Sequence, residues 1–178
     1  MPDIITRTKS LLSTTAPHWI SLVESLSTEM LTRPASSGEW SAVDCLNHLL
    51  DTESTVFPVR LHVFLEGGER FPGFDPDSEG TDRSQWTPAQ LAAEFARYRT
   101  ENLALLEQVT PAHLQRTAVH TALGPVTLED MLNQWAAHDL NHTVQGERAI
   151  MQAFIQGSGP WRHYFIDHDL AAKQALAE

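Results

Sequence analysis

The chain has a single cysteine, Cys45, among its 178 residues, so no internal disulfide can staple it. Basic residues are scarce. Against 23 Asp and Glu stand only 12 Lys and Arg, a net charge of −11. A surface of that sign repels phosphate backbones and anionic headgroups, which argues against nucleic acid and membrane surfaces as partners. No apolar run approaches the roughly 20 residues of a membrane helix. The opening "MPDIITRTKSLLSTTAPHW" has neither the apolar core nor the cleavage site of a signal peptide, so the expected setting is the cytoplasm. Alternating apolar and polar residues, the sign of a half-buried strand, are missing too. At this length one domain spanning residues 1–178 buries about 70% of the surface that its unfolded chain exposes.

Helical periodicity fills the space these absences leave. A first helix is expected from Ile4 to Leu31, ended by "TRPASSG", with a break or kink at Pro17 near Ala16. A second starts at Ser41, whose hydroxyl caps the first turn with Asp44 at the third position, and Pro58 should kink it near Ser54. Gly67 to Trp86 reads as a long polar loop, and loops of that length often carry function. Thr87 caps a third helix that reaches Val109. Thr127 opens a fourth that continues to about Phe154 and stops at Gly157 and Gly159, and a short last helix covers Pro160 to Ala177. The expected fold is all-α, a bundle of four main helices with a long loop after the second and a short C-terminal helix.

Within the fourth helix, "WAAHDLNHTVQGERA" places His138 and His142 four residues apart. Wound at about 100° per residue from Leu128, the apolar stripe holds Met131, Leu132, Trp135, Ala149 and Ile150, with His142 inside it at about −40° and His138 at its edge at about −80°. Burying both imidazoles is costly unless each ring nitrogen finds a partner, and at about 6 Å of axial separation two ring nitrogens can converge on one ion. The plain alternative is a pair of hydrogen-bonded core histidines. His48 lies in the second helix on the border of the arc holding Cys45, Leu49 and Val56, where it could meet the pair. Cys45 itself reads as a small core residue.

Asp139 falls inside the apolar stripe at about 20°, where an unpaired carboxylate is expensive. Three readings stand open: a hydrogen bond to a ligand imidazole, a general base, or a contact with a neighbouring helix or dimer partner. Asp44 reads as a cap, Asp51 as a solvated or ligand-supporting carboxylate, and Glu53 as a weaker candidate for support. Trp40 and Trp135 read as helix-entry and core packing. "HDLNH" differs from the zincin signature His-Glu-x-x-His by Asp for Glu, with His163 or His168 as the third ligand, but no strands precede this helix and Asp139 is one methylene short.

Two stretches carry a family resemblance. "GEWSAVDCLNHLLDTE" and "LGPVTLEDMLNQWAAHDLNHTVQGER" together resemble the paired motifs of the DinB/YfiT-like superfamily, over roughly residues 4 to 154. The resemblance implies a four-helix bundle, commonly a homodimer, that binds a divalent metal through His48, His138 and His142. Three imidazoles suit zinc or nickel foremost, with iron or manganese as alternatives, and leave a coordination position open for water or substrate. The better understood branches of the superfamily act on small molecules with low-molecular-weight thiols such as mycothiol or bacillithiol. The implied activity is thus a metal-dependent thiol S-transferase or hydrolase, the alternative being a non-enzymatic metal-binding or stress-related bundle. The loop 67–86 and the tail after Gly157 match neither motif.

Overall fold

The computed structural model describes residues 2–175. Asp3 caps helix α1 (Ile4–Ser25) by accepting a 3.0 Å hydrogen bond from the Thr6 N–H. The helix runs unbroken through Pro17. The break falls instead at Leu26, which turns extended, and Ser27 then caps the short α2 (Thr28–Thr32). Helix α3 (Ala42–Asp51) begins with the expected reciprocal box of Ser41 and Asp44. The distortion expected near Ser54 takes the form of a π turn over Thr52–Val56, in which the Phe57 N–H reaches back to the Thr52 carbonyl before α4 (Phe57–Glu66) resumes with Pro58 in its first turn. Gly67 closes α4 in the left-handed region at φ 76°.

The connection from Gly67 to Trp86 is not a bare loop. It contains strand β1 (Arg70–Phe71) and a single helical turn, α5 (Pro76–Glu79). Helix α6 (Pro88–Leu106) is capped by Thr87 with Gln90, and a 3-10 turn at Pro111–His113 leads to strands β2 (Thr117–His120) and β3 (Gly124–Thr127). Strand β1 pairs parallel to β2, with Arg70 opposite Val119, and β2 pairs antiparallel to β3. The all-α expectation is corrected here: the molecule is mostly helical but carries a three-stranded sheet. Strands of two to four residues are too short to show alternation, so the sequence pattern conceals them.

Helix α7 (Leu128–Gly157) exceeds its expected end by one turn, and a 3-10 segment (Gly159–Phe165) and α8 (Leu170–Ala175) follow where one short helix was expected. The last residues of that expectation, 176 and 177, lie outside the described residues. Helices α1, α3, α4, α6 and α7 form the bundle, with α1 against α6 and α7, and α3 against both of those as well. Their apolar faces make two clusters, one around Trp135, Phe57 and Leu12 and the other around Trp19, Leu46 and Phe95. No helix among the described residues is long and apolar enough to cross a membrane.

Close approach of α1 to α7 depends on Gly146. A Cβ at that position would stand 2.6 Å from Cη2 of the fully buried Trp19. Alanine favours a helix over glycine by about 1 kcal/mol. Overpacking of a ring that cannot yield costs about 1 to 3 kcal/mol. Gly146→Ala should therefore lower the melting temperature, and a gain in thermal stability would show that the contact is slack.

Candidate metal centre

The capping box of Ser41 and Asp44 fixes the start of α3, and His48 follows two turns later on the face turned toward α7. His138 and His142 lie one turn apart on α7. The structure brings the three together, with one ring nitrogen of each within 4.8 Å of the others. His48 Nε2 is 3.0 Å from His138 Nε2, and the His142 ring centroid is 4.4 Å from that of His48 and 4.5 Å from that of His138. Neither His163 nor His168 joins them, which leaves the zincin spacing without a third ligand.

Protonation favours ligation. Burial, reinforced by the proximity of His142, lowers the pKa of His48 to about 4, and the same causes lower that of His138 to about 3. Burial lowers His142 as well, opposed by its bond to Gln145 and by the charge of Asp139. At neutral pH all three rings are uncharged and each offers a lone pair. Gln145 Oε1 lies 2.9 Å from His142 Nδ1, so a carbonyl oxygen there accepts a hydrogen bond from Nδ1–H and leaves Nε2 unprotonated. Nδ1 of His48 and of His138 is buried without a hydrogen-bond partner. Two nitrogens on one tetrahedral zinc stand about 3.3 Å apart, close to the spacing of the Nε2 pair. A neutral, converging imidazole set fits a borderline divalent ion.

Aromatic rings wall the cluster. Trp40 stacks on His142 at 5.6 Å and meets His48 at 5.1 Å, Phe74 lies 6.1 Å from His48, and Phe57 presents its face or edge to His138 at 5.4 Å. Together with Thr52, Arg60 and Gln134 they line a cavity of about 270 Å³ on the three histidines. Trp40 is thus more than helix-entry packing. Neither its stacking nor the presence of Phe74, Arg60 and Gln145 is legible from helix periodicity, because each depends on how separate elements meet.

The carboxylates belong to the frame. Asp139 sends both oxygens to Arg99 of α6, at 2.7 and 3.1 Å. Glu53, in the π turn, accepts from the same guanidinium at 2.7 and 2.9 Å, from Asn102 and from the Trp135 indole. Asp51 is buried rather than solvated. It pairs with Arg83 at 2.6 Å and accepts the Thr81 N–H, tying the long connection down beside His48. Cys45 is fully buried in the second apolar cluster, and burial pushes its thiol up to about 12.

A helical bundle with three imidazoles from two helices gathered at one cavity defines the class of protein. The sequence matches the DinB superfamily over residues 11–145, and the chain belongs to that superfamily. Its fold is similar to that of YfiT from Bacillus subtilis, with a TM-score of 0.69 at 20% identity over 82% of this chain and 85% of that one. That protein is described as a probable metal-dependent hydrolase with an unusual four-helix bundle topology. No curated protein matches the sequence.

Because both oxygens of Asp139 face Arg99, Asp139→Asn should weaken the fold more than the centre. Breaking a buried pair costs about 3 to 5 kcal/mol. The metal-free variant should melt at a clearly lower temperature while the folded form keeps zinc affinity within a few fold. A 10- to 100-fold affinity loss with unchanged melting would instead make Asp139 a support of the ligand imidazoles.

Proposed function

We propose that the chain is a metal-dependent hydrolase of a small molecule, with His48, His138 and His142 holding one divalent ion. Zinc or nickel suits the three imidazoles best, with iron or manganese as alternatives. The observation behind this reading is the convergence of three neutral imidazoles on an aromatic-walled cavity. A divalent ion bound there supplies Lewis acidity that polarises a carbonyl and lowers the pKa of water or of a thiol. The surrounding residues orient the rings and shape the cavity. Gln145 holds His142 with Nε2 unprotonated, and Trp40, Phe57 and Phe74 give the cavity beside the imidazoles an apolar lining. Both oxygens of Asp139 are engaged by Arg99, and Asp139 is not among the residues lining the histidine cavity, which argues against a general base at that position.

Cys45 is too deeply buried and too weakly acidic to attack a substrate, so the nucleophile arrives from outside the chain. Water makes the reaction a hydrolysis. A second reading, thiol S-transfer with a low-molecular-weight thiol as cosubstrate, draws support from two further cavities of about 310 and 400 Å³ that share Arg60 and Phe74 with the histidine cavity and leave room for a second molecule.

Elemental analysis of purified protein should find about one divalent ion per chain. His138→Ala with His142→Ala should abolish it. Ion-loaded protein should hydrolyse members of a panel of small esters and amides that the chelated protein leaves intact. Turnover only when a thiol is added selects S-transfer; an ion retained without turnover on either panel selects a non-enzymatic metal-binding protein; metal content unchanged in the double variant rejects the ligand assignment.

The proposal includes a symmetric homodimer in the cytoplasm. Phe154, Trp161, Tyr164 and Ile166 are all at least half exposed and lie close together along the chain at the end of α7 and in the turn after it, an apolar group that a second copy would cover. Light scattering should give about 40 kDa, twice the 19.9 kDa chain. A monomer throughout the micromolar range would reject it.

A further inference from the structure

Arg60, in α4, is a cation without a counter-charge. Arg83, Arg97, Arg99 and Arg162 each pair with a carboxylate. Among the described residues none pairs with Arg60, whose Nε is buried and without a hydrogen-bond partner, and whose guanidinium stands over the Phe71 ring at 5.4 Å. The acidic side chains bordering its surroundings are engaged elsewhere: Glu79 accepts from the Asp75 N–H and Asp130 from Thr127. A partly buried guanidinium without a counter-charge costs free energy until an anion completes it.

Its position adds meaning. Arg60 borders the histidine cavity and also the neighbouring cavity of about 400 Å³, and Gln134 and Phe74 line both as well. The second cavity is also lined by His120, at the end of β2. Its Nδ1 accepts the backbone N–H groups of Ala122 and Leu123 at 3.1 and 3.3 Å, which puts the proton of the neutral ring on Nε2. That side of the ring borders Gly73, itself on the cavity wall. A forked cation and a neutral N–H donor therefore share one cavity, whose remaining lining is apolar at Phe71, Val126 and Met131 and polar at Gln134 and at Asp130, whose carboxylate is held by Thr127.

We propose that Arg60 and His120 bind the carboxylate of the substrate, which is a small monoanion with an apolar body whose reacting end lies at the three histidines. The reaction at that end rests on the hydrolase reading above; the carboxylate site does not need it. With Asp130 already held by Thr127, one positive charge and one neutral donor are too little for a phosphate dianion, whereas the planar guanidinium fork matches the carboxylate plane.

The test uses metal-free protein, so that no carboxylate can bind through an ion. Calorimetric titration with 4-phenylbutyrate should show saturable binding, with 4-phenylbutanamide at least about ten-fold weaker. Arg60→Gln should weaken the carboxylate by about ten-fold or more and erase its advantage over the amide. Arg97→Gln, on an exposed face of α6, should change neither. Equal affinity for acid and amide in the unsubstituted protein overturns the proposal even if the Arg60 variant fails to fold, and so does no carboxylate binding up to about 50 mM. Inorganic phosphate binding more tightly than phenylbutyrate and lost in Arg60→Gln would make this a phosphate site and reject the carboxylate. Absence of hydrolysis, by contrast, would leave the binding result untouched.

Discussion

One guanidinium joins the helices of this bundle. Arg99 reaches from α6 to Glu53 in the π turn, to Asp139 on α7, and to the Leu12 carbonyl and Thr15 hydroxyl of α1. It is almost wholly buried, as are Glu53 and Asp139. A charged group in that position gains little over a well-packed apolar one, but every donor of its fork has a geometrically defined acceptor, so few alternative packings satisfy it. The two apolar clusters contribute area and dispersion without direction. The Arg99 network supplies direction, and the rotation of each helix about its axis is held by it.

The centre inherits that rigidity. Asp139 precedes His142 by less than one turn and adjoins His138, so a carboxylate anchored to α6 also fixes the α7 backbone from which both imidazoles project. On the other side Glu53 is anchored to the same arginine five residues after His48. Imidazoles from two helices are thereby held in relative position through a shared partner that touches none of them. Asp51 with Arg83 adds a restraint at the surface end, where the long connection carrying Phe74 folds over the histidines.

Much of this was legible in the sequence where a local signal existed. Ser41, Thr87 and Thr127 each begin a helix because a hydroxyl three residues before a carboxylate or amide closes a box within one turn. The helical wheel placed His138, His142 and Asp139 toward the interior and thereby raised the right question about Asp139, that it must have a partner. It could not say which, because Arg99 is 40 residues away and its approach depends on the packing of α6 against α1 and α3. The sheet escaped for a different reason: β1 contributes two residues and is held to β2 across a separation of almost 50 positions, too little and too distant for any periodicity. Trp40 shows the limit of classifying side chains one at a time, since packing at a helix entry and stacking on His142 are the same position seen from two elements.

The π turn at Thr52–Val56 sets a register. His48 and Arg60 are 12 residues apart, which on an uninterrupted α-helix separates their directions by about 120°. A π turn absorbs one residue without advancing the helix, so the same interval behaves as 11 and the separation falls to about 20°. The guanidinium consequently shares a face with the imidazole, and Phe57 and Val56 swing with it onto the wall of the same cavity. Spacing along this segment is therefore as much a part of the site as side-chain identity. A chain one residue shorter between His48 and Phe57 could preserve every named group and still turn Arg60 away from the histidines, so relatives of this protein are better compared by the phase of the helix than by the letters aligned along it.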